Sequence, residues 1–214
     1  MIKKQYIIFV FFLVFILFLM SAQTEAEVGI SSGLSQEREA QIGETYRDTI
    51  IIRNNGNRPQ EVKIYQTDYL FFSDGTNIYG EPGKDLRSNA NWITFSPHRL
   101  IIPPKETATI NYTINVPDDK SLMGTYWSMM MVEGIGEEHP EASTHPEEGK
   151  VLLGITQVVR YGIQIITHIE DTGSRELKFT ETKLLAKEDE GRIFQIDLEN
   201  TGERWLVPLL WVEL

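Results

Sequence analysis

Residues 108–116 alternate strictly, with Ile110, Tyr112 and Ile114 opposite Thr109, Asn111, Thr113 and Asn115. One apolar face at period two is the pattern of a half-buried strand and cannot be laid on a helix. The same grammar recurs along the chain. Residues 49–53 are a β-branched run that ends in Asn54-Asn55-Gly56-Asn57-Arg58-Pro59, a turn in which Gly56 can take positive φ and Pro59 stops pairing. Residues 61–67 resume, and 70–72 meet Ser73-Asp74-Gly75-Thr76, a hairpin signal. Residues 91–95 predict a short strand with Trp92 and Phe95 as core anchors, broken at Ser96-Pro97. Pro103 and Pro104 impose an extended conformation outside any ladder. Short strands at roughly 8–12-residue spacing, with no helical period, predict β-sandwiches.

One segment stands apart. Lys3 and Lys4 precede an apolar run from Tyr6 to Met20, with small residues at Ser21, Ala22 and Ala26. That order is an export signal, and the run is shorter than the ~20 residues of a spanning helix. Cleavage is expected after Ala26, because Thr24 suits the minus-three position better than Met20 does. The mature chain is thus expected in the periplasm or at the cell surface, touching membrane only through its signal segment before cleavage. The chain has no cysteine, so a lipoprotein anchor, disulfides and thiol chemistry are excluded. The formal charge of −11 argues against nucleic acid and anionic lipid as partners.

Residues 124–133 form a strand in which Tyr126, Ser128, Met130 and Val132 share one face and Trp127, Met129 and Met131 the other. Both faces are largely apolar, so the strand is either buried on both sides or offers one face to a partner. Residues 134–150 are acidic, carry two prolines and read as an exposed loop. Val151, Leu153 and Ile155 follow it, then an alternating run with Val159, Tyr161, Ile163 and Ile165. The tail repeats the opening: Glu199-Asn200-Thr201-Gly202-Glu203-Arg204 parallels Arg53-Asn54-Asn55-Gly56-Asn57-Arg58. The expected organisation is a signal helix over 1–26, an immunoglobulin-like sandwich over 27–170 and a partial second sandwich over 171–214. That last segment has room for about three strands, against the seven or so of a complete sandwich. Its missing strands are expected from a longer chain or from a partner.

Chemistry is thinly represented. His139 and His145 lie among glutamates and could hold a divalent cation, but nothing in such a loop fixes the rings. No nucleophile elbow and no phosphate-cradling glycine loop occurs, so no catalytic, cofactor or metal residue is assigned.

Three stretches carry a resemblance. Residues 49–55, Thr-Ile-Ile-Ile-Arg-Asn-Asn, are similar to a strand and asparagine turn of the periplasmic pilus-chaperone superfamily. Residues 97–110 resemble its proline-and-polar turn before a strand, and Arg160-Tyr-Gly-Ile-Gln-Ile-Ile its passage from first to second domain. Phe194 to Gly202 would open that second domain. Gram-positive cell-wall surface proteins with a similar N-terminal sandwich are close in style. The resemblance implies two immunoglobulin-like domains at an angle and a non-enzymatic chaperone-like function in pilus assembly. In that family an edge strand with alternating apolar residues is lent to an incomplete envelope or pilin-like protein. Val151, Leu153 and Ile155 sit where it would be lent. The family also holds its partner's terminal carboxylate with two basic residues in a cleft. Neither the first strand nor Arg160 matches that pair clearly. Arg160, Trp127, Met129 and Met131 complete the candidate partner-binding set. The alternative is an adhesion or cell-wall module that meets glycan or a host protein through its Trp and Tyr surface.

Overall fold

The computed structural model describes residues 27–135, 158–187 and 191–211. The segments read as signal (1–26) and as most of the acidic loop, with His139, His145, Val151, Leu153 and Ile155, lie outside the described residues. Everything regular in the described part is strand apart from a 3-10 turn at Ala90–Trp92.

Two sheets face each other. The first is built from β1 (Val28–Ile30), β3 (Thr45–Asn54), β8 (Thr107–Asn115) and β6 (Ile93–Ser96), in the order β1-β3-β8-β6. The second runs β2-β10-β9-β4-β5, where β2 is Ser35–Ala40, β4 Gln60–Phe71, β5 Asn77–Gly80, β9 Thr125–Gly134 and β10 Arg160–Ile169. A further strand, β7 (Arg99–Ile102), pairs with β4. The chain therefore changes sheet between β1 and β2, through Gly33 at φ +87°. Unlike every other pairing, β2 runs parallel to its neighbour β10.

Alternation places the core. Ile50 and Ile52 of β3 and Ile110 and Ile114 of β8 have no exposed surface. They meet Val62, Met130, Val132 and Ile163 from the opposite sheet. Each such side chain contributes about 1.5–3 kcal/mol through burial. The all-β sandwich is the architecture the strand pattern predicts.

Some elements differ from the sequence reading. Residues 60–71 form one long strand, β4, rather than two. Asp68 does not break it, because its buried carboxylate accepts the N–H groups of Gly83, Lys84 and Asp85 at 2.7–2.8 Å and the Ser88 hydroxyl. Burial opposes its charge, but these donors outweigh burial and hold its pKa below the ordinary aspartate value. Residues 99–102 also join a ladder, since the prolines that preclude pairing come just after them.

Beyond the sandwich, β11 (Leu177–Lys187) and β12 (Gly191–Asn200) form an antiparallel hairpin. Residues 205–211 carry no ladder among the described residues. The hairpin leaves Phe179, Leu184 and Phe194 at least half exposed.

Candidate functional site

The site begins with the backbone of β10. On one side β10 pairs with β9 along almost its whole length, from Arg160↔Glu133 to His168↔Thr125. On the other side β2 joins only from Gln164 onward. The Gln164 N–H points towards β2, donating to Leu34 O at 2.9 Å. Backbone direction alternates along a strand. The N–H and C=O groups of Gly162 and Arg160 therefore face the same side as those of Gln164. No strand pairs with them there among the described residues. Val151, Leu153 and Ile155 precede this edge in sequence and lie outside the described residues.

Arg160 is fixed at the head of this edge. Its Nε donates to Glu133 Oε2 at 2.6 Å, Tyr65 Oη donates to the same oxygen at 2.8 Å, and Lys63 Nζ meets Oε1 at 2.7 Å. Burial would raise the Glu133 pKa. The bonds from Lys63, Tyr65 and Arg160, with the Arg160 charge, overcome it and bring it down to about 2. Arg160 thus has a carboxylate partner within its own sheet.

Trp127, Met129 and Met131 line the outer face of β9, away from the sandwich core. Met129 and Met131 are 7% and 4% exposed. Gly162 allows this: a Cβ there would come within 3.1 Å of Met129 Cγ and Sδ, so the thioether lies across the glycine. Trp127 is half-buried, and its indole N–H donates to Tyr69 O at 2.8 Å. Of the two options for this strand, burial on both faces is the one the methionines meet. The exposed part of the same face is aromatic. Tyr69 lies 5.6 Å from Phe71 and 5.5 Å from Tyr79, and Phe71 lies 6.2 Å from Trp127.

At the far end of β10 the sandwich meets the hairpin. Arg204 is buried there, donating from Nε to Thr172 O (2.8 Å), from Nη2 to Ile169 O (2.9 Å) and from Nη1 to Glu39 Oε1 (3.1 Å). Thr125 N–H donates to Glu203 O at 3.0 Å. Gly124, at φ +74°, is required at this junction, since a Cβ would stand 2.1 Å from Glu203 O. The repeated Asn-x-Gly-x-Arg motif was visible in the sequence. The role of its arginine in joining two units was not, because its partners lie 32 to 165 residues away. Glu133, Lys63 and Tyr65 were missed for the same reason. Only their shared outward parity on adjacent strands could have grouped them.

No family model matches this chain, and no curated protein matches it. Solved structures do. A chain of the Salmonella enterica SafA pilin–SafB chaperone complex is 12% identical with a TM-score of 0.48, over 76% of this chain and 66% of that one. A chain of the Acinetobacter baumannii CsuC–CsuE chaperone–tip adhesion subunit pre-assembly complex is 12% identical with a TM-score of 0.46, over 85% and 91%. The ASH/PapD-like domain of human CEP192 is 14% identical with a TM-score of 0.43, over 70% and 92%. The first two are chains of chaperone–subunit complexes.

Proposed function

We propose that this chain is an exported, non-enzymatic, chaperone-like module that binds an envelope, surface or pilin-like protein by β-strand pairing. Pairing takes place along the open edge of β10 and the segment before it. The observation that carries this reading is the one-sided pairing of Arg160–Ile163, where β9 is present and β2 is not. Backbone groups on such an edge supply affinity, and alternate side chains, here Val151, Leu153 and Ile155, supply specificity. Arg160, held by Glu133, sets the end of the docking edge.

The test separates backbone from side chain at Arg160. Full chain is immobilised and titrated with recombinant surface and pilin-like subunits from the same cell. Arg160→Ala, which removes the guanidinium, should bind within a few-fold of wild type. Arg160→Pro, which also removes the edge N–H, should weaken binding about tenfold, the worth of one net hydrogen bond. Leu153→Glu should abolish binding. Equal affinity for wild type and Arg160→Pro would rule out pairing at this edge.

One observation favours a second reading, an adhesion or cell-wall module for glycan or a host protein. It is the ring cluster of half-buried Tyr69 with exposed Phe71 and Tyr79 beside Trp127. Loss of binding to cell-wall glycan in Tyr79→Ala, with Arg160→Pro unaffected, would favour it over strand pairing.

A further inference from the structure

Asn55-Gly56 is the one Asn-Gly step in the chain. An asparagine before a glycine is chemically reactive. The glycine nitrogen, once it has lost its proton, attacks the asparagine Cγ, forms a C–N bond and expels the carboxamide nitrogen as ammonia. Water then opens the resulting succinimide to aspartate or isoaspartate. A glycine in second place puts no side chain in the way of that attack. The reaction needs a nitrogen that can lose its proton, a peptide plane free to turn and a carboxamide within reach.

The corner after β3 withholds the first two. Gly56 N–H donates to Asn54 Oδ1 at 2.8 Å. Asn54 has no exposed surface, and its Nδ2 donates to Arg58 O, Ile102 O and Pro103 O at 2.7–3.1 Å. Those carbonyls can meet only N–H groups, so the oxygen end of the side chain is fixed on Gly56. The carbonyl of the same peptide unit, Asn55 O, accepts from Lys105 Nζ, and the Asn55 N–H donates to Glu27 O at 2.6 Å. The Asn55–Gly56 peptide plane is thereby held at both edges. A cation on the carbonyl makes the attached N–H more acidic, so Lys105 alone would favour attack. The Asn54 oxygen is the contact that restrains it. The Asn55 carboxamide lies beside β1, since a Cβ on Gly29 would stand 3.3 Å from Asn55 Nδ2.

We propose that Asn55 is a latent deamidation site and that the Asn54 side chain keeps it from reacting in the folded chain. Opening of the corner frees the Gly56 N–H and starts the reaction. The product is lasting. A new carboxylate, or an isoaspartate with an extra methylene in the backbone, stands next to the Val28↔Asn54 pair at the end of the β1–β3 ladder. In the second corner the middle position is Thr201, which has no carboxamide to lose, while Gly202 N–H donates to Asn200 Oδ1 in the same way. One corner shape thus exists in a reactive and an inert version.

Mass spectrometry on the full chain in mildly alkaline buffer tests this, with the site localised to Asn55 by fragmentation. A synthetic peptide of residues 50–60 supplies the unprotected rate. Wild type should react about tenfold or more slowly than the peptide, and Asn54→Ala about fivefold to tenfold faster than wild type, the worth of one net hydrogen bond. Ile110→Val lowers stability from the core and leaves the corner bonds in place, so Asn55 should keep its wild-type rate there. The proposal fails if wild type matches the peptide, if Asn54→Ala keeps the wild-type rate, or if Ile110→Val accelerates as far as Asn54→Ala. Should Asn54→Ala fail to fold, hydrogen exchange at Gly56 in wild type decides. That amide must be protected, and exchange at its intrinsic rate overturns the assignment.

Discussion

The same Asn-x-Gly-x-Arg corner is built twice, and the two copies differ in how far their asparagines are buried. At Asn54–Arg58 the Asn54 side chain donates to Arg58 O at 2.7 Å and accepts the Gly56 N–H at 2.8 Å. At Asn200–Arg204 the Asn200 side chain donates to Arg204 O at 2.8 Å and accepts the Gly202 N–H at 3.1 Å. Each corner closes a ten-residue strand, β3 or β12. The first, however, is sealed. Asn54 has no exposed surface and also donates to Ile102 O and Pro103 O, while its N–H bonds Glu106 O. Asn200 is exposed, with no such additional bonds among the described residues. Local sequence therefore dictates the shape of the corner, and the surrounding sandwich dictates what that shape is worth.

Substitution at the two asparagines gives the sharpest test of that contrast. Asn54→Ala removes two N–H hydrogens shared among three carbonyls, of which the Ile102 bond is buried and the other two part-buried, and urea unfolding should show a loss of about 2 kcal/mol or more. A loss below about 1 kcal/mol would mean that the corner, not its burial, carries the energy.

Ionic anchoring divides the same way. Glu133 is nearly enclosed and holds three donors, whereas the Lys183–Glu181 pair of β11 is about half exposed on both sides at 2.7 Å. Glu133→Gln should cost roughly 1–2 kcal/mol near neutral pH, discounted for the exposed Lys63 and Arg160, and Lys183→Gln under about 0.5 kcal/mol. The Glu133 pKa is depressed on folding. Its contribution is therefore fully present above the ordinary glutamate range and is lost as the pH falls towards about 2. Thermal melts of wild type and Glu133→Gln should converge on acidification. A gap that persists at low pH would break the assignment. The smallest effect is Asn200→Ala, expected to cost no more than about 1 kcal/mol. Chevron or urea data that ranked it equal to Asn54→Ala would erase the difference between the two corners.

How much of this was legible follows from range. The period-two run at 108–116 predicts β8, and Ser73-Asp74-Gly75-Thr76 predicts the β4–β5 hairpin, because both signals are local. The gap between 61–67 and 70–72 closes for the opposite reason, since the N–H groups at 83–85 that satisfy Asp68 come from a separate segment. The apolar character of both faces of β9 was plain. That Met129 is covered through a glycine on the next strand depends on register, which composition does not reveal. Val151, Leu153 and Ile155 rest on the resemblance and on their position before β10. The junction residues Thr125 and Arg204 carry no local signal, since their partners come from β2, β10, a linker and the corner.

The crossing at Gly33 has a consequence for engineering and for divergence among such chains. Because the chain leaves the first sheet after Ile30 and enters the second at Ser35, the position of that crossing works as a ruler for β10. Shifting the switch four residues earlier would lay β2 alongside Arg160–Ile163 and zip the vacant edge shut from within. Shifting it later would lengthen the vacancy. The length of open edge on β10, which the proposed function would offer to an incoming strand, is thus metered by a short stretch of the chain's own N-terminal region.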